Sequence, residues 1–114
     1  MEIIRLTTKQ DTLNALRDGQ IKEYAREIRP NTMKKYCALD EDGYVVDIDG
    51  VLQPRFYDVV QFQYGHETCA FKIEKAQIEL FEDESGELIT YTENGEEYIA
   101  AQIVYFLGEK IVVV

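Results

Sequence analysis

Lys22, Arg26, Arg29, Lys34 and Lys35 fall within one short segment, interleaved with Glu23 and Glu27, in a chain whose formal charge is -10. As ordinary surface chemistry these are neighbouring or cross-strand ion pairs, each worth at most about 1 kcal/mol and serving solubility. Pairs of that kind need no particular position. These, however, stand just after the best helical segment of the chain and on both sides of Pro30. Their concentration reads as a focused positive spot, suited to a nucleotide, a short single strand or a carboxylate.

Other reactive chemistry is sparse. Cys37, Cys69 and the single His66 are too few and too separated for a zinc site, which takes about four ligands, or for a disulfide framework. The two thiols read as buried and reduced, and His66, between Gly65 and Glu67, as an exposed turn residue. The sequence holds no glycine-rich phosphate loop and no Ser-His-Asp set. It names no catalytic residue, no metal ligand and no cofactor.

Charge is polarised along the chain. Residues 1–36 hold eight Lys and Arg against five acids, a balance of +3, and residues 37–114 hold four against seventeen, a balance of -13. An acidic whole argues against nonspecific binding of duplex nucleic acid, where neutralising phosphates supplies most of the affinity. The acidic turn EDESGE, residues 82–87, reads as a solvated hairpin tip. A basic protein could meet it, so a protein-interaction module using the acidic face is the second functional reading. At 114 residues, 46% hydrophobic and free of low-complexity runs, the chain reads as a single domain over residues 1–114 with its own core. Its start, MEIIRLTTKQ, lacks the apolar core of a signal peptide, and no apolar run approaches the roughly 20 residues that span a bilayer. A cytoplasmic protein with no membrane partner is expected.

The elements that must position the cations follow from periodicity. EIIRL reads as a short strand. A helix of about three turns follows, capped by Thr7 or Thr8, carrying Leu13 and Leu16 on one stripe and ended by Gly19. Residues 21–29 lack helical spacing and precede a proline, which predicts a strand. Alternation puts Lys22, Tyr24, Arg26 and Ile28 on one face and Glu23, Ala25, Glu27 and Arg29 on the other. NTMKKYCA predicts a single helical turn capped by Asn31. Beyond it come a hairpin turning at Asp49-Gly50, the strand YDVVQFQY, a turn at residues 65–67, and a long strand TCAFKIEKAQIELF with a bulge or a bend near residues 74–77. LITYT, a second turn at Asn94-Gly95, EYIAAQIVYFLG and KIVVV complete the sheet. The expected fold is mainly β with short helices (α+β), an antiparallel β-barrel that closes to remove its exposed edges. Phe62, Phe71, Tyr105 and Phe106 are assigned to its interior.

DGQIKEYAREIRPNTMKKY resembles the signature of the ASCH-domain family, through Gly19, Lys22, Glu27, Arg29 and Pro30. RFYDVVQFQYG looks like that family's central strand, and YFLGEKIVVV is similar to its closing strands. The spacing between Gly19 and Glu27 is longer than the family's pattern. The resemblance implies a PUA-like barrel with one main N-terminal helix, and an RNA or nucleotide-like ligand in a cleft between helix and barrel. In that setting Arg29 would bind phosphate or carboxylate through its planar fork, with Lys34 and Lys35 as weaker point charges and Lys22 and Arg26 beside them. Glu27 would orient Arg29 or accept from a base edge. Tyr24 would offer a stacking face, and Tyr36, Phe56 and Tyr57 would flank the cleft. One branch of the family looks like a small amidohydrolase on a modified nucleoside, using a lysine followed directly by threonine and a distant glutamate. Here Glu23 follows Lys22 and no threonine nucleophile stands there, although Glu74 could serve as the remote carboxylate. Binding without catalysis is the expectation.

Overall fold

The computed structural model describes residues 1–113, and β-structure, isolated bridges included, makes up 53% of it, with few helices. The chain runs β1 (Ile3–Thr7), α1 (Gln10–Arg17), β2 (Glu23–Ile28), α2 (Met33–Tyr36), β3 (Asp47–Ile48) and β4 (Val51–Leu52). It continues through β5 (Val59–Tyr64), β6 (Glu67–Leu80), β7 (Thr90–Glu93), β8 (Glu96–Ile99) and β9 (Ala101–Ile111). Five strands form a sheet in the order β1-β5-β6-β9-β2, while β3-β4 and β7-β8 are two-stranded ribbons. The expected closed, antiparallel barrel is corrected in two respects. β1 and β2 are edges of the sheet. β1 also pairs parallel to β5, with Ile3 opposite Val59 and Thr7 opposite Gln63. A parallel pair joins segments far apart in the chain and leaves no turn signature between them, so periodicity alone does not show it.

The contacts group into two compact units, to which β2, β6 and β9 all contribute residues. The first comprises residues 1–24, 56–76 and 105 onward. Its core is Ile4, Leu6, Leu13, Leu16, Val60 and Phe62, each 2% exposed or less, and burial of each such side chain is worth about 1.5–3 kcal/mol. Leu13 and Leu16, three residues apart, share the helix face that lies against β5. α1 is shorter than expected, eight residues or just over two turns, and its N-cap is Lys9, which makes no side-chain cap bond. The sheet claims the predicted cap residue: the Thr8 amide donates to Gln63 O at 2.8 Å, extending the β1-β5 ladder, and the Thr8 hydroxyl is buried without a hydrogen bond. Gly19 ends the helix as expected, in the left-handed region at φ 74°, where its amide and that of Gln20 donate back to Leu16 and Ala15.

The second unit comprises residues 25–55 and 77–104, with Ile28, Tyr36, Cys37, Ala101, Ile103 and Val104 buried in it. Both of its predicted hairpin turns are present. Asp49 and Gly50 (φ 53° and 82°) and Asn94 and Gly95 (φ 52° and 81°) place two left-handed residues in succession, the geometry that matches strand twist in two-residue hairpins. At α2 the cap is Thr32, not Asn31, and it makes no side-chain cap bond. The Thr32 hydroxyl instead closes the turn around Pro30, accepting from the Arg29 amide at 2.9 Å and donating to Arg29 O at 3.2 Å.

β6 runs unbroken over 14 residues. β9 does not break at Gly108, where two strands were expected; the break falls at Ala100, and Gly108 lies inside the strand. The reason is steric. A Cβ at Gly108 would stand 2.7 Å from Glu74 Cγ, so the glycine admits a neighbouring side chain and does not mark a turn. Of the predicted strand KIVVV, Lys110 and Ile111 belong to β9, Val112 and Val113 follow it, and Val114 lies outside the described residues. No helix among the described residues is long and apolar enough to cross a membrane.

Candidate binding site

β2 presents its residues by strict alternation: Ile28 is buried, Tyr24 and Arg26 half-buried, and Glu23, Ala25 and Glu27 exposed. Glu27 and Arg29, two residues apart, therefore project to the same side. Arg29 Nη2 meets Glu27 Oε1 at 2.6 Å, and the guanidinium carbon lies 4.5 Å from the centre of the Tyr91 ring. Tyr91 is held in turn by Tyr98, its cross-strand partner in the β7-β8 ribbon, with ring centres 5.7 Å apart and planes inclined by 26°. The result is a layered arrangement of guanidinium, ring and ring. The Arg29 side chain remains 43% exposed.

Lys34 and Lys35 project from α2 and are exposed, with Lys35 Nζ 5.8 Å from the centre of the Tyr36 ring. A third cation joins them from far along the chain. Cys37 and Pro54 form an isolated antiparallel bridge, the Arg55 amide donates to Tyr36 O at 3.0 Å, and Arg55 Nη1 reaches Lys34 O at 3.4 Å. Lys34 and Arg55 line one open hollow of about 430 Å³, together with Asp40 and Glu41.

The second unit thus carries Arg26, Glu27, Arg29, Lys34 and Lys35 among the predicted site residues, and the first carries Lys22, Tyr24 and Tyr57. Lys22 is exposed, and its carbonyl accepts the Leu107 amide at 2.9 Å. The half-buried Tyr24 ring packs edge-on against Phe62 at 4.8 Å. Tyr57 is only 9% exposed and Tyr36 only 3%, whereas Phe56 is 71% exposed. Tyr57 and Phe56 line a separate hollow of the first unit, about 490 Å³, together with Asp58 and Lys72. The aromatic face beside Arg29 is therefore that of Tyr91.

Sequence reasoning missed Tyr91 and Arg55. Tyr91 and Tyr98 stand symmetrically about the Asn94-Gly95 turn, and that mirror spacing could have revealed the pair. Arg55 offered no such signal, because it reaches Lys34 only through the pairing of two distant segments.

The potential nucleophiles are quiet. Burial pushes the Cys37 thiol up to about 11, and burial also raises that of Cys69. The Tyr98 hydroxyl donates to Glu96 Oε2 at 2.8 Å, and that bond raises its pKa. Among the described residues no group of three or more His, Cys, Asp or Glu is arranged to hold a metal ion. Comparison with protein-family models finds no match to this chain, and the same holds for curated proteins and for solved structures.

Proposed function

We propose that the protein binds single-stranded RNA or a nucleotide-like ligand through the cationic segment of β2 and α2, as an ASCH-type, PUA-like domain. The observation that carries this reading is the state of Arg29. Its guanidinium lies on Tyr91, is tethered by Glu27 and stays 43% exposed, in a chain of charge -10. A guanidinium already oriented loses little freedom when it meets a phosphate, and its fork suits two phosphate oxygens. Lys34 and Arg55 add charge along one hollow, and the Tyr91-Tyr98 stack supplies an aromatic surface of the type on which bases stack. The likeness of residues 18–36 to the ASCH signature supports the same assignment.

The test is fluorescence anisotropy with a labelled single-stranded RNA at low salt. Arg29→Ala and Arg55→Ala should each weaken binding about tenfold, and affinity should fall steeply as salt rises. Stability to urea should change by no more than about 1 kcal/mol, the usual limit for an exposed ion pair. Binding unchanged in both variants would remove the site. Absence of any retention of RNA at low salt would remove the function.

A further inference from the structure

We infer that an apolar hollow in the second unit is a docking site for a basic segment of another protein, which inserts an aliphatic or aromatic side chain. The hollow holds about 310 Å³, and its lining includes Ile28, Met33, Ile78 and Ile99 together with Glu97 and Tyr98. That volume is at the low end for small-molecule sites and suits a large side chain. Met33 provides a wall that can adapt to the occupant.

The surface beside the hollow is unusual for a solvated ribbon. Leu80, Phe81, Leu88, Ile89 and Ile99 are 36–45% exposed. They stand on adjoining backbone segments, joined by hydrogen bonds from Phe81 N to Ala100 O, from Ile89 N to Phe81 O and from Ala100 N to Ile89 O. Scattered apolar residues are normal at a surface, but neighbouring ones beside a hollow mark a contact area.

Charge selects the occupant. Within this unit, residues 77–104 contain eight acids (Glu79, Glu82, Asp83, Glu84, Glu87, Glu93, Glu96 and Glu97) and no Lys, Arg or His. Anionic lipid would be repelled from this acidic segment, and a second copy using the same face would oppose like charges. A Lys- or Arg-rich segment carrying a bulky apolar residue satisfies both features: its cations meet the carboxylates while its anchor fills the hollow.

The experiment is selection of a randomised displayed-peptide library on the immobilised full chain at physiological salt, followed by anisotropy of an enriched peptide. Enriched sequences should combine Lys or Arg with Leu, Ile, Met or Phe. Replacing the apolar anchor with Ala should weaken binding at least about tenfold, and Ile99→Ser in the protein should do the same, with RNA binding unaltered. Should Ile99→Ser disturb folding, the double variant Glu96→Gln/Glu97→Gln provides the second reading, with weaker binding and reduced salt dependence expected. The inference fails if no peptide is enriched, or if the anchor and Ile99 can be replaced without loss. It also fails if sedimentation shows a dimer that Ile99→Ser dissolves, or if RNA competes for the hollow.

Discussion

Cys37 is 3% exposed, and its thiol is pushed from 9.0 to about 11 because burial penalises the thiolate. Below pH 9 the thiol is protonated in both folded and unfolded chains. As pH rises through the interval from 9 to about 11 the unfolded chain ionises first, and stability is lost across that window. Urea titrations at rising pH should show this alkaline loss, and Cys37→Ala should reduce it. Near neutrality a thiol reagent should modify Cys37 and Cys69 only after denaturant is added, since both are buried. Gly108 makes a second prediction at this scale. Gly108→Ala should destabilise by about 1 kcal/mol through its clash with Glu74, and in the Glu74→Ala background the cost should vanish. Equal costs in the two backgrounds, read from chemical denaturation, would mean that the contact is not the reason for the glycine. The Glu27-Arg29 pair was legible from alternation alone, because a strand puts residues two apart on one side. The aromatic partner of Arg29 was not, because Tyr91 lies far along the chain.

Among the elements, α1 is built on a weak start. Lys9 is its N-cap and supplies no acceptor to the free amides of the first turn, although Leu13 and Leu16 hold the helix from below. Lys9→Asp should supply that acceptor and a favourable charge at the helix start, raising stability by about 0.5–1 kcal/mol in thermal or urea unfolding. A neutral or negative effect would show that Lys9 holds the helix start in another way. The ribbons are better specified. Asp-Gly and Asn-Gly turns were read from two residues each and stand where predicted, because positive φ is a local demand that few residue types meet. The hairpin tip at residues 82–88 is likewise local: Asp83 Oδ1 accepts from the amides of Glu87 and Ser85 and from the Ser85 hydroxyl, and these bonds hold its carboxyl below the usual range.

For the whole molecule the decisive property is the uneven charge of an acidic chain. Duplex DNA presents dense phosphate on all sides and would meet the acidic segments as well as the cations. A single strand can follow the cations and stack on an aromatic ring. Mobility-shift assays at matched length and salt should therefore retard single-stranded RNA and leave duplex DNA unshifted; equal retardation would reduce the interaction to bulk charge and remove the role given to Tyr91. Turn positions, strand alternation, the helix end at Gly19, the burial of both thiols and the gathering of cations in residues 22–35 were written in the amino-acid order. Each depends on neighbours a few residues apart, where backbone sterics and side-chain period act directly. Strand order, the parallel β1-β5 pair, the open edges, the division into two units, and the meeting of Arg55 with Lys34 and of Arg29 with Tyr91 were settled by tertiary packing. Those pairings join distant segments, and they are chosen by which backbone groups and apolar faces remain unsatisfied once the local elements exist, a competition that no short window of residues contains.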